Sequence, residues 1–401
     1  KLSSLISNSV DRLALRSASR VGWTGYTTFP WEALRSELSD RRIRLLPIQG
    51  NGSWSIPMFS AQAEVLRQWT SDLHQRIAVM MGTRGKVLRP LEARTVASCC
   101  QRLSSIPTLS RESYDLVLTG TLGNLDSRVI ALQAQSQGIS VMTLHHGAHF
   151  LIFDEPYYAL YEGALPDVKV VFGSIEAQRD LGTLGPRSNL AGHPIVFYSR
   201  SDPLVQRVYS PDDIKPCTSL KGLTSVYLAV EFESGRYGPY RDVHPSTYLT
   251  WQEKLLEWLE RVTGNRPLLR LHPKRRSTRY DPAGYKLLEG DMEEVLEVAD
   301  VFAIDYPSTS LAYVAATSKP VLFFNIGLRR LHPAALEVVQ GRCHYAAVDL
   351  LCPDEGFAAI ESNLSRDCTH TFSPVFSVAT NSQHEVGSVT DAVCSEVSRR
   401  A

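Results

Sequence analysis

Between Tyr114 and Leu144 the chain spells a strand, a helix and a second strand within about 30 residues, and this constrains the fold more than any other feature. Asp115-Leu-Val-Leu-Thr119 is a short apolar run bounded by a turn from Gly120 to Asn124. Val129, Ile130 and Leu132 follow at helical spacing, Asp126 is placed to cap that helix, and Gly138 ends it. Ile139-Ser-Val-Met-Thr-Leu144 is then a second apolar run. Two strands joined by a helix of this length pair in parallel, because a crossover helix returns the chain to the same edge.

The pattern recurs after Thr224. Ser225 to Val230, Pro267 to Leu271, Asp300 to Ile304 and Pro320 to Phe324 read as strands. Tyr248 to Val262, Met292 to Ala299 and Ser308 to Ala316 read as helices between them, with Asp291 placed to cap the second. Val168 to Phe172 adds a strand to the first run. Residues 195 to 222 are rich in Ser, Pro and Asp and include Pro203, Pro211 and Pro216. The expected organisation is therefore α/β, with two doubly wound, Rossmann-like domains facing across a cleft. The first spans 1–200, a linker 201–222, and the second 223–401, with the C-terminal tail folding back. A helix is expected at Val389 to Val397; residues 1 to about 110 yield no motif beyond helical spacing at Ala61 to Trp69.

Composition narrows the function. Lys and Arg number 42 and so do Asp and Glu, which argues against a bulk nucleic-acid binder. No stretch of 18 apolar residues could span a bilayer, and the N-terminus lacks the features of a secretory signal. Seven scattered cysteines point to reduced thiols and a cytoplasmic location. No C-x-x-C pair occurs and no metal site is expected. The chain does not begin with Met, which suits a piece of a longer protein. Walker, dinucleotide-binding and nucleophile-elbow motifs are all missing.

Ligands of open α/β sheets bind beyond the carboxyl ends of strands, and five places there carry chemistry. Leu144-His145-His146-Gly147, with His149 close behind, sets imidazoles at a strand tip as bases or phosphate donors, or as plain strand-end residues. Arg270-Leu-His272-Pro-Lys274 places a histidine among cations, suited to a phosphate; Arg275, Arg276 and Arg279 read as a solvated basic loop. Asp305-Tyr-Pro-Ser308-Thr309-Ser310 is a hydroxyl-rich turn into a helix, a cradle for an anion; an ordinary N-cap explains one of its hydroxyls but not three. Glu231 and Glu233 follow the first strand of the second domain as candidate base or nucleophile, or as ordinary loop acids. Asp154-Glu155 is the fifth place, read chiefly as loop acids.

The order His146-Gly147, Gly192-His-Pro, Arg270-Leu-His272-Pro and Ala299-Asp-Val-Phe-Ala-Ile-Asp-Tyr-Pro-Ser-Thr-Ser310 resembles bacterial surface-polysaccharide transferases of the GT-B architecture, over about residues 114 to 330. Within that class it is similar to enzymes with cytidine-nucleotide donors: sialyl-, polysialyl- and Kdo transferases (Kdo is 3-deoxy-manno-octulosonic acid) and CDP-glycerol glycerophosphotransferases. The resemblance implies that His272, Ser308 and Thr309 hold the donor phosphate, with Arg270, Lys274 and Ser310 beside them. It places a nucleophilic carboxylate at Glu231 or Glu233, although Asp is usual there, and puts His145 where the family commonly has Gln. The implied catalytic set is Glu231, Glu233, His146 and His272. The implied activity is metal-independent transfer of a CMP-activated ulosonic acid to a capsule or lipopolysaccharide acceptor, with no cofactor beyond the donor. The implied partners are a nucleotide-sugar donor, a glycan or glycolipid acceptor and the inner face of the membrane as a peripheral surface. A CDP-glycerol-type phosphotransferase and a non-catalytic glycan- or nucleotide-binding module are the alternatives.

Overall fold

The computed structural model describes residues 19–24, 31–48, 109–120, 122–144, 153–154, 163–172, 188–190, 195–200, 217–229, 243–271, 284–365, 385–386 and 389–400, with single positions elsewhere. Two parallel sheets organise them.

The first sheet begins with β1 (Ser19–Thr24), α1 (Trp31–Asp40) and β2 (Ile43–Pro47). It continues with β3 (Leu116–Thr119), α2 (Leu125–Ser136), β4 (Ser140–Leu144), β5 (Val168–Phe172) and β6 (Val196–Arg200). The expected strand–helix–strand unit is present, but its cap is Asn124 and not Asp126: Asn124 Oδ1 accepts the Ser127 N–H at 2.8 Å, while Asp126 lies in the first turn. Gly138, at φ 71°, provides the left-handed exit from α2. In β1, a Cβ on Gly22 would come within 2.8 Å of Tyr114 Cδ1 and 2.9 Å of Ile48 Cδ1, so only glycine lets these rings and branches close over the strand. Residues 196–200, the end of the expected first domain and the opening of the Ser- and Pro-rich stretch, form a strand.

The second sheet contains β7 (Ser225–Leu228), α3 (Pro245–Thr263), β8 (Leu268–Arg270), β9 (Lys286–Leu287), α4 (Met292–Val298) and β10 (Val301–Ile304). It closes with α5 (Thr309–Ala316), β11 (Val321–Asn325), α6 (Pro333–Arg342), β12 (His344–Ala347) and α7 (Pro353–Asn363). The helix α3 starts at Pro245 behind the cap His244 and stops at Gly264, φ 73°. Its buried face carries Tyr248, Trp251, Leu255, Leu256, Trp258 and Leu259. Phe357 of α7 stacks on Trp251 and Trp258 at ring separations of 5.6 and 5.1 Å. Helix C-termini leave carbonyls without partners, and two cations supply donors. Lys319 Nζ reaches Leu296 O and Ala299 O at the end of α4, each at 2.6 Å. The buried Arg342 reaches Ala315 O, Thr317 O and Lys319 O at the end of α5. These bonds fix α5 from behind.

The last described elements, β13 (Glu385–Val386) and α8 (Val389–Arg400), belong to the first sheet, where β13 pairs with β6. On α8, Asp391 pairs with Arg41 at 3.5 Å and Thr390 donates to Glu37 of α1. Among the described residues no helix is long and apolar enough to cross a membrane.

Candidate functional site

Strand order locates the site. The second sheet runs β9-β8-β7-β10-β11-β12, the 3-2-1-4-5-6 order of a dinucleotide-binding domain, with every pairing parallel. Chain direction across the sheet reverses between β7 and β10, where Leu228 lies beside Ile304. Loops leaving two such strands diverge, and the crevice between them takes ligands. In the first sheet the reversal falls between β1 and β3, one strand away from the segment after β4 that holds His145 and His146.

Residues 305–310 line the reversal in the second sheet. Pro307 lies between Tyr306 O and the Ser308 N–H, which bond at 2.8 Å. Ser308 caps α5, its Oγ accepting the Ser310 N–H at 3.2 Å. A serine hydroxyl has one proton of its own besides its acceptor sites, so capping leaves Ser308 able to donate to an anion. The helix N-terminus adds a positive potential at the same place. Ser308, Thr309 and Ser310 are all partly exposed.

Behind the turn Asp305 is fully buried. One carboxylate oxygen, Oδ2, accepts from Tyr227 Oη (2.5 Å), Trp251 Nε1 (2.9 Å) and Tyr248 Oη (3.0 Å). Gln252 Nε2 donates to Tyr227 Oη at 3.1 Å. The other oxygen, Oδ1, is buried without a hydrogen bond. Burial raises the carboxyl from 3.8 to about 6, against the lowering effect of the bonds from Tyr227, Trp251 and Tyr248 and of the residue's own backbone N–H. Tyr227 is itself pushed well above the usual phenol range by burial and then by the Asp305 charge.

Tyr306 faces a different set of residues. Arg329, buried beyond β11, donates Nε to Tyr306 Oη at 3.3 Å, and its guanidinium lies 5.7 Å from the ring centre of Phe153. Phe153 comes from the segment between β4 and β5 and pairs with Leu331 in an isolated antiparallel bridge. Asp154, one of the sequence candidates, is part of this tie: its N–H donates to Arg330 O at 2.9 Å and its carboxylate meets Arg330 Nε at 3.0 Å. The two sheets' loops thus touch next to the Ser308 turn, and Asp154 is engaged in that contact.

Of the other sequence candidates, Arg270 ends β8 one strand beyond β7 and donates Nη1 to Leu288 O at 3.1 Å. His145, His146, His149, Glu155, Glu231, Glu233, His272 and Lys274 lie outside the described residues. The sequence reading gave no role to Asp305, Tyr227 or Arg329. Position alone offered one signal, since Asp305 is the first residue beyond an apolar strand. Among the described residues, no three His, Cys, Asp or Glu side chains converge as a metal site would need.

No family model and no curated protein matches the chain. Similar solved structures include the glycotransferase of kitacinnamycin, at TM-score 0.42 and 13% identity over 88% of this chain and 92% of that one. Arabidopsis thaliana UGT89C1 complexed with UDP is similar at TM-score 0.39 and 10% identity, over 90% and 88%. The spinosyn rhamnosyltransferase SpnG complexed with thymidine diphosphate is similar at 0.36 and 11%, over 88% and 95%. A likeness at these levels assigns neither family nor activity to the chain.

Proposed function

We propose that the chain is a GT-B glycosyltransferase whose second domain binds a nucleotide-sugar donor, most specifically a CMP-activated ulosonic acid, for transfer to a surface-polysaccharide or lipopolysaccharide acceptor. The observation that supports it best is the hydroxyl-rich start of α5 at the reversal of a 3-2-1-4-5-6 sheet. On this reading Ser308, Thr309 and Ser310 donate to the donor phosphate, with Arg270, His272 and Lys274 contributing from the β8 side. Donors aimed at the phosphate stabilise the charge that grows on it as the sugar departs, which lowers the barrier. The first domain presents the acceptor, with His146 as a candidate base, and Glu231 or Glu233 serves the anomeric centre. The donor's cytidine nucleotide rests on the sequence resemblance.

Calorimetric titration with CMP, CDP, UDP and thymidine diphosphate tests the donor class; CMP is expected to bind most tightly. Preference for CDP together with transfer of glycerol phosphate would replace this reading by the phosphotransferase one. Binding without turnover by any donor would leave a binding module. Ser308→Ala combined with Thr309→Ala removes two donors to a charged group, so CMP affinity is expected to fall about tenfold or more. Loss of the Ser308 cap also lowers stability by about 1 kcal/mol, so folding is checked by circular dichroism. Undiminished affinity in the folded double variant would remove the cradle from the site.

A further inference from the structure

We propose that Asp305 is a positioning residue for the phosphate cradle: its ionised carboxylate, gripped by β7 and α3, holds the turn that delivers Ser308, and anion binding there depends on that charge. The inference rests on the nucleotide reading and adds a regulating group to the same site.

Three donors meet on one oxygen, and their direction is fixed. An indole N–H can only donate, so Trp251 presents its proton to Oδ2. Gln252 donates to Tyr227 Oη, which leaves that hydroxyl's own proton for the carboxylate. This shell is built for an anion. A purely structural tie in a buried site needs no charge, and a neutral side chain avoids the desolvation that burying a carboxylate incurs. Here the charge is buried with Oδ1 unbonded, yet it stands only three residues before Ser308.

Those three residues are short of freedom. Asp305 is held from behind by Tyr227, Tyr248 and Trp251, and Tyr306 is held by Arg329. Pro307 has a fixed φ, and the Ser308 N–H is bonded to Tyr306 O. The position of the Ser308 hydroxyl therefore follows from the grip on Asp305. Bonds to a charged acceptor are about twice as strong as neutral ones, so protonation weakens the whole shell together. Among the described residues the groups facing the carboxylate are Tyr227 from β7, Tyr248 and Trp251 from α3 and the backbone N–H of Asp305 itself, with Gln252 behind Tyr227, and none of them is a charged side chain. Its ionisation near 6 puts the loss of grip on the acid side of neutrality.

The test has two readouts on the full chain. The first is intrinsic tryptophan fluorescence against pH, since Trp251 bonds directly to the carboxylate. The wild type is expected to show a transition with a midpoint near 6. Asp305→Asn should lack it. Tyr248→Phe, which removes one donor and keeps the ring, should shift the midpoint upward, and it remains informative should Asp305→Asn fail to fold. The second is binding of the methyl ester of CMP, whose single phosphate charge does not titrate in this range. Wild-type affinity should fall about tenfold or more between about pH 7.5 and about pH 5. Asp305→Asn should bind weakly at about pH 7.5 and lose no affinity toward about pH 5, since protonation of His272 can only favour the phosphate. A wild type without the fluorescence transition overturns the inference. So does nucleotide binding that is equal in wild type and Asp305→Asn at every pH. Absence of binding by the wild type at neutral pH would instead overturn the nucleotide reading, and the inference with it.

Discussion

Trp251→Ala is expected to cost the second domain about 5 kcal/mol or more of stability, the sum of a lost buried indole and a lost bond to a carboxylate. Trp251 is fully buried; it stacks on Phe357, meets Phe324 edge-on at 5.7 Å and donates to Asp305. Trp251→Phe separates the two contributions. It keeps most of the packing and removes the bond, so its expected cost is about 1.5–3 kcal/mol. Urea unfolding followed by far-ultraviolet circular dichroism measures both. Equal costs for the two variants would mean that the indole acts through its hydrogen bond alone. Acid conditions give a further check. The folded carboxyl of Asp305 is raised from 3.8 to about 6, so the native state holds more protons than the unfolded chain between those values. Ionised Asp305 therefore costs stability as pH rises through that window, and the cost is absent below it. Trp251→Phe removes a donor that favours the charged form and so raises the carboxyl further; its deficit relative to the wild type should narrow as pH falls toward about 6 and be smallest below it.

How much of this was legible in the sequence depends on how local each feature is. The stretch from β10 through α5 is written in consecutive residues: an apolar run, a proline that cannot continue a strand ladder, and a serine that caps a helix. The exit from α2 at Gly138 is equally local, whereas the choice of Asn124 over Asp126 as its cap turned on a shift of two residues. By contrast β1 carries Arg20 and Gly22 beside Val21, and it is a strand because β2 and β3 flank it on both sides. The strand β6 is legible only through its pairing with β5. The reversal between β7 and β10 depends on which strand docks beside which, something periodicity does not encode. The grip on Asp305 is the most distant feature of all: its partners Trp251 and Tyr227 lie 54 and 78 residues away in the chain.

Replacing the carboxylates of the β7 exit should produce the largest change in rate. Chain reversal places the exits of β7 and β10 on either side of one crevice. From β10 come the turn and the hydroxyls of Ser308–Ser310. From β7 the chain leaves at Leu228, and Glu231 and Glu233 follow within five residues. On the proposed reading, a donor phosphate at the α5 N-terminus sets the reacting carbon of its sugar within the same crevice, where a carboxylate would serve the anomeric centre and not the phosphate. Acids near a bound phosphate weaken its binding by repulsion, so nothing about nucleotide affinity favours keeping them. Glu231→Gln or Glu233→Gln is therefore expected to lower turnover by about 10²–10⁴-fold, the range for loss of a positioned acid–base group, while CMP affinity stays level or rises. Glu231 is the stronger candidate of the two. His272→Ala should behave differently, losing on the order of 10²-fold in rate with weaker CMP binding, because the role proposed for it is toward the phosphate. Each variant is assayed separately for transfer and, by calorimetry, for CMP binding. Near wild-type turnover in both glutamine variants would move the search for the reacting group to the first domain, beginning with His145, His146 and Glu155.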